Sequence, residues 1–94
     1  MVITVKLVGA FRHYSGTSKM AFGCKKGDSI GEMVNELVEK VPDIKRILID
    51  QQLEDPMLNA LILVNGREIN VLHGLETKLT DGDEVVLIPV VHGG

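Results

Sequence analysis

The residues best suited to chemistry are the last six, Pro89, Val90, Val91, His92, Gly93 and Gly94, because the sequence stops on a diglycine carboxylate. Glycine has no Cβ, so a nucleotide and the backbone of another protein can close on such a carboxylate without steric hindrance. Proline lacks the N–H that a strand ladder uses, so Pro89 is expected to release the chain from the apolar strand before it. Six residues at about 3.3 to 3.6 Å each then reach roughly 20 Å. The pattern suits a substrate entering a narrow active site, with Gly94 carrying the reacting carboxyl, Gly93 giving clearance, and Val90, Val91 and His92 providing reach. A frayed terminus is the plain alternative, and the diglycine alone does not decide between the two.

Such a tail needs a scaffold, and the chain upstream reads as one. Ile3, Val5 and Leu7 alternate with Thr4 and Lys6, the period of a half-buried strand. After Gly9 and an expected polar turn at Arg12-His13-Tyr14-Ser15-Gly16, Met20, Phe22 and Cys24 alternate with Lys19, Ala21 and Gly23, which predicts a second strand in a hairpin with the first. Ile30, Met33, Val34, Leu37, Val38 and Val41 recur at i, i+3, i+4, i+7, i+8 and i+11, one stripe of an amphipathic helix. Ser29 with Glu32 three residues on forms a capping-box signature, and Pro42 ends the helix. Residues 43–59 are read as an irregular connector, although Ile44, Ile47 and Leu48 would also suit a short helix.

The run Ala60-Leu61-Ile62-Leu63-Val64 predicts a strand, and Asn65-Gly66 a tight type I′ turn into a short returning strand, Arg67-Glu68-Ile69. A loop at 70–74 follows. Asp81-Gly82-Asp83 marks another turn before a last strand, Glu84-Val85-Val86-Leu87-Ile88. The expected fold class is α+β: a mixed sheet of four to five strands, its two central strands parallel and one main helix across one face, in the ubiquitin-like β-grasp order. The domain is 1–94, with 89–94 its extended, flexible tail. Strand three and the last strand are apolar on both faces, whereas one helix covers only one. An exposed patch is therefore expected, drawn either from Leu61, Leu63, Val85 and Leu87 or from Ile62, Val64, Val86 and Ile88, unless the connector covers that face.

Composition narrows the classes of function. Ninety-four residues, 45% of them hydrophobic, make one core, and with 3% aromatics that core is aliphatic. Ten Lys and Arg against thirteen Asp and Glu give a net charge of -3, which offers no basic footprint for nucleic acid and no polybasic lipid anchor. The N-terminus has no signal-peptide pattern and no run approaches a membrane span, so a soluble cytoplasmic protein is expected. Cys24 is the only cysteine, so no disulfide framework exists and an iron–sulfur cluster lacks its four thiolates. Its alternation with Met20 and Phe22 makes it a core residue rather than a thioester nucleophile. His13 and His73 read as solvated loop residues. Asp81 and Asp83 read as turn residues rather than as a fragment of a calcium loop. No metal or cofactor motif is present.

Leu63-Val64-Asn65-Gly66-Arg67-Glu68-Ile69, Leu75-Glu76-Thr77-Lys78-Leu79, Asp81-Gly82-Asp83-Glu84-Val85, Ile88-Pro89 and Gly93-Gly94 together resemble the carboxy-terminal half of the MoaD family, the small subunits of molybdopterin synthase. They are also similar to the ThiS sulfur carriers and the small archaeal modifier proteins. His92 stands where MoaD proteins usually carry a small residue, and a His-Gly-Gly ending is reminiscent of the ubiquitin-related modifier of tRNA thiolation. The resemblance implies that an E1-like (MoeB/ThiF-type) enzyme, using its own ATP and metal, adenylates Gly94, and that sulfur from a persulfide converts it to a thiocarboxylate. It implies two classes of onward partner: a MoaE-type large synthase subunit that builds the dithiolene of molybdopterin, or protein targets whose lysines are conjugated to Gly94. No catalytic group and no cofactor of the chain's own is implied, and His92 would contact at most the activating enzyme or its nucleotide.

Overall fold

The computed structural model describes residues 1–48 and 60–90. Five strands form one sheet: β1 (Val2–Leu7), β2 (Lys19–Gly23), β3 (Ala60–Val64), β4 (Arg67–Glu68) and β5 (Glu84–Pro89), in the order β2-β1-β5-β3-β4. β1 and β5 run parallel at the centre, and the other neighbours are antiparallel. The main helix, α2 (Ile30–Lys40), lies on one face and buries Ile30, Met33, Val34 and Leu37. They meet the inward residues of the sheet, Ile3, Val5, Leu7, Phe22, Ile62, Val64, Val85 and Leu87, in one core cluster. This is the ubiquitin-like β-grasp, with the parallel central pair that the order of apolar segments predicts.

Local chemistry accounts for two of the boundaries. Ser29 caps α2 by accepting from the Glu32 N–H at 3.3 Å while its own N–H donates to Glu32 Oε1 at 3.3 Å, the reciprocal box that its spacing announces. Asn65 at φ 50° and Gly66 at φ 84° supply the two positive φ angles of a type I′ turn. Asn65 also ties that turn to β5, because the Glu84 N–H donates to its Oδ1 at 2.9 Å and its Nδ2 donates to Asp83 Oδ1 at 2.9 Å.

Asp83 is thus a turn residue, as expected, and its carboxylate organises the turn. Burial pushes the carboxyl up, but hydrogen bonds from the Thr80 N–H, Asn65 Nδ2 and the Thr80 hydroxyl outweigh it, so the group ionises below its ordinary range. A carboxyl lowered on folding contributes stability above its unfolded pKa and loses that contribution as pH falls through the folded one. Asp83→Asn is therefore expected to lose on the order of 1 kcal/mol at neutral pH. The gap to the wild type should close as acid is added, read by urea unfolding at a series of pH values. A gap that stays constant below the carboxylate range would contradict the assignment.

Three segments differ from the sequence reading. The polar stretch read as a turn is a helix, α1 (Ala10–Ser15), ended by Gly16 in the left-handed region at φ 76°. Its one apolar anchor, Phe11, is fully buried; six residues are too few to show a helical period, so the segment looks like a loop in sequence. His13 accordingly sits on this helix rather than in a loop, its ring edge-to-face with Tyr14. The start of the connector is also helical: a 3₁₀ turn, Pro42–Ile44, runs into α3 (Lys45–Leu48), with Ile44 and Leu48 fully buried. The rest of the connector lies outside the described residues. The return strand is shorter than expected, because Ile69 starts a 3₁₀ turn and is buried.

Candidate functional site

β5 feeds the C-terminal residues, so its pairing sets where they leave. Parallel pairing of β1 with β5 uses alternate residues of β5, visible in the Thr4 N–H to Asp83 and Val8 N–H to Leu87 carbonyl bonds. The next donor toward β1 in that alternation would be residue 89, which is proline and has none. The β1 pairing accordingly stops at Leu87, whereas the β3 pairing continues through Ala60 and Pro89. Pro89 therefore ends one ladder and not the other, and the strand releases the chain one residue later than the sequence suggests. Val90, the last described residue, is exposed and outside the strand. Val91, His92, Gly93 and Gly94 lie outside the described residues.

The same register settles which apolar residues face away from α2. Leu61 pairs with Ile88 and Leu63 with Val86, so odd-numbered residues of β3 share a face with even-numbered residues of β5. Among the described residues the face away from α2 thus carries Leu61, Leu63, Val86 and Ile88, and all four are at least partly exposed. Both expected groupings were half correct: Val85, Leu87, Ile62 and Val64 are buried beneath α2. Sequence parity alone could not show this, since the register depends on the length of the connection between the strands. Val8, exposed at the end of β1, adjoins this row, and a Lys6–Glu84 ion pair at 3.2 Å stands on the same face further from the tail. The apolar part of the face therefore abuts the strand end from which Val90 departs.

Cys24 is buried, as expected, and the structure adds neighbours that the sequence did not signal. Its sulfur and one carboxylate oxygen each of Asp28 and Glu36 lie within 4.8 Å of one another. Burial first, then the charges of Glu36 and Asp28, push the Cys24 thiol up. A thiol held protonated is a poor nucleophile, which agrees with a structural role rather than thioester formation. His73 is exposed, and it lines a cleft of about 460 Å³ with Ser29, Glu32, Glu76 and Lys78. Asp81 is a turn residue whose Oδ1 accepts from the Val2 N–H at 2.7 Å. Among the described residues no helix is long and apolar enough to cross a membrane.

A model of the ThiS family matches residues 5–94. The chain belongs to the ThiS family. This ThiS-family chain is 29% identical over 94 residues to small archaeal modifier protein 3 of Haloferax volcanii, and the match covers both chains completely. It is 28% identical over 95 residues to the sulfur carrier protein CysO of Mycobacterium tuberculosis, again across both chains. Its structure superimposes on the solution structure of small archaeal modifier protein 1 from Methanosarcina acetivorans with a TM-score of 0.81 and 33% identity, covering 99% of this chain and 96% of the other. Ubiquitin-like sulfur carriers and modifiers are therefore the relatives of this ThiS-family member, and the two kinds share one fold.

Proposed function

We propose that this protein is a sulfur carrier whose C-terminal Gly94 is adenylated by an E1-like enzyme and converted to a thiocarboxylate. A carboxylate resists attack because its charge is delocalised and oxide is a poor leaving group. Attack of a Gly94 oxygen on the α-phosphorus of ATP expels pyrophosphate and makes AMP the leaving group. The terminal sulfur of a persulfide then displaces AMP at the acyl carbon, and a second thiol attacks the donor cysteine's own sulfur in the resulting acyl disulfide, forming a disulfide with it and expelling the thiocarboxylate. The acceptor we assign to that sulfur is the dithiolene of molybdopterin, built on a MoaE-type large subunit that receives the tail. Gly94 carries the transferred atom, Gly93 gives clearance, and Val90, Val91 and His92 span the distance. The described residues 1–48 and 60–88 act as the mount.

The observation that carries this reading is that one strand serves both tasks. β5 presents Val86 and Ile88 on the apolar face away from α2 and then leads directly toward the diglycine. An enzyme gripping that face holds the tail's base at a fixed place relative to its own active site. Leu63→Asp, central on the face and remote from the tail, is expected to weaken binding to the activating enzyme at least tenfold while leaving the far-UV spectrum unchanged. Unaltered affinity in a titration would remove this face from the docking surface. The carrier reading itself is tested by pyrophosphate exchange: the activating enzyme should return labelled pyrophosphate to ATP only when this chain is added.

A modifier function is the second reading, favoured by full-length similarity to a small archaeal modifier protein. There Gly94 would form an isopeptide bond with a target lysine from the same adenylate. Conjugates of higher mass that disappear when Gly94 is deleted would support it, and conjugates that persist would exclude it. Sulfur transfer to tRNA is the other destination open to the same thiocarboxylate, and co-purification of a large synthase subunit separates it from the molybdopterin route.

A further inference from the structure

Where β1 hands over to α1 the backbone makes an elbow at Gly9, with φ 60° and ψ −127°. That combination lies outside the regions open to residues with a Cβ. A Cβ placed there would also stand 3.1 Å from Cγ and 3.6 Å from Cδ of Pro89, so the proline ring occupies the space that a side chain would need. Three other observations converge on the same residue. The last β1–β5 hydrogen bond, from the Val8 N–H to the Leu87 carbonyl at 3.2 Å, sits immediately before the elbow. The Gly9 carbonyl accepts from the His13 N–H at 3.0 Å, which locks the elbow to α1, and α1 packs against β5. On the other side Pro89 is paired with Ala60 of β3.

From this geometry we infer that Gly9 is a positioning residue: with α1 and Ala60 it holds the Pro89 ring in a clamp that fixes the direction in which the C-terminal residues leave the domain. The inference rests on the carrier reading above and deepens it. Proline has no N–H to anchor it toward β1, so without the elbow the strand end would be held from the β3 side alone. A rigid base matters because the reacting carboxyl lies five residues beyond Pro89, and a small change in angle at the base is multiplied along that length. Misplacement by 1 Å can slow a reaction about a hundredfold.

The test uses the full-length chain as wild type, Gly9→Ala, Pro89→Ala and the double variant, with Gly66→Ala as a matched control. Gly66 also has a positive φ, 84°, but a Cβ there meets nothing within 4 Å, so it imposes backbone strain without touching the proline. Steady-state pyrophosphate exchange with the activating enzyme is measured at a temperature where circular dichroism shows every variant folded, and the ¹⁵N relaxation of the Val90 amide is measured in the free protein. Gly9→Ala is expected to lower kcat about tenfold with KM within about twofold, because the docking face is untouched while the tail is misdirected. Pro89→Ala should lower kcat about threefold, and the double variant should fall between the two single variants, since removing the ring removes the clash but leaves the backbone strain at residue 9. Gly66→Ala should match the wild type.

A Gly9→Ala protein with normal kcat, or a double variant as impaired as Gly9→Ala alone, would overturn the clamp. The relaxation measurement judges it without any enzyme. The Val90 amide should lose order in Gly9→Ala, and also in Pro89→Ala, where residue 89 regains an N–H toward β1 but the ring that the elbow holds is gone, while Val5 and Leu87 keep theirs; an equally ordered Val90 in Pro89→Ala would overturn the clamp even if Gly9→Ala failed to fold. Absence of exchange with the wild-type chain would count against the carrier reading instead.

Discussion

Deleting Gly94 alone is expected to reduce chain-dependent pyrophosphate exchange at least a hundredfold while leaving the thermal midpoint of the domain unchanged. The truncated chain still ends on a glycine carboxylate, so the chemistry of the nucleophile is preserved and only its position changes. One residue fewer shortens the reach by about 3.5 Å. That displacement is several times the 1 Å that can already slow a reaction about a hundredfold. No compensation is available from the mount, because β5 is held on both sides as far as Leu87 and on one side through Pro89. The unchanged midpoint follows because β5 ends at Pro89, five residues before the deletion. Exchange at the wild-type rate by the shortened chain would show that activation does not depend on the position of the terminal carboxyl.

The second large effect is on stability. Phe11→Ala is expected to destabilise the domain by about 3 to 5 kcal/mol, as for other fully buried phenylalanines. For a domain of this size total stability is on the order of 5 to 15 kcal/mol, so about a fifth or more is at stake. The midpoint should fall by roughly 15 °C or more. Phe11 is completely buried and is the single core anchor of α1, the element that joins β5 to the Pro42–Ile44 turn. If the segment were the solvated turn that its polar sequence suggests, the change would stay within about 0.5 kcal/mol. Calorimetry of the two proteins separates these outcomes. A small shift would mean that α1 is not part of the cooperative core.

The contrast between α1 and α2 shows what can be read from sequence here. α2 has eleven residues, three turns of apolar stripe and a reciprocal cap at Ser29 and Glu32, so each local signal repeats the others. The Asn65-Gly66 turn is equally legible because both residues are types that accept positive φ. α1 offers one buried apolar residue in six, and its stability comes from the core that receives Phe11, which no local pattern encodes. The segment from Pro42 to Leu48 fails for the same reason: Ile44 and Leu48 are buried by tertiary packing, in a stretch too short to show a period. The apolar nature of β3 and β5 was plain, yet the faces were assigned by number parity. The antiparallel register instead sets Leu61 beside Ile88 and Leu63 beside Val86. As for the candidate site, the interruption of the β1 ladder at Pro89 was legible, but the elbow at Gly9 was not. A glycine between an apolar strand and a polar stretch reads as an ordinary turn until the proline facing it is seen.

The proposed function is a division of labour in which the fold holds and presents while another enzyme supplies the reactive chemistry. The most direct measurement is the intact mass of the full-length protein after incubation with ATP, its activating enzyme and a persulfide sulfur donor, followed by fragmentation to locate any change. The account predicts a mass gain equal to the exchange of one oxygen for one sulfur, carried entirely by Gly94 and dependent on ATP. An unchanged C-terminal fragment under conditions where the enzyme consumes ATP with this chain, or a sulfur found instead on Cys24, would contradict it.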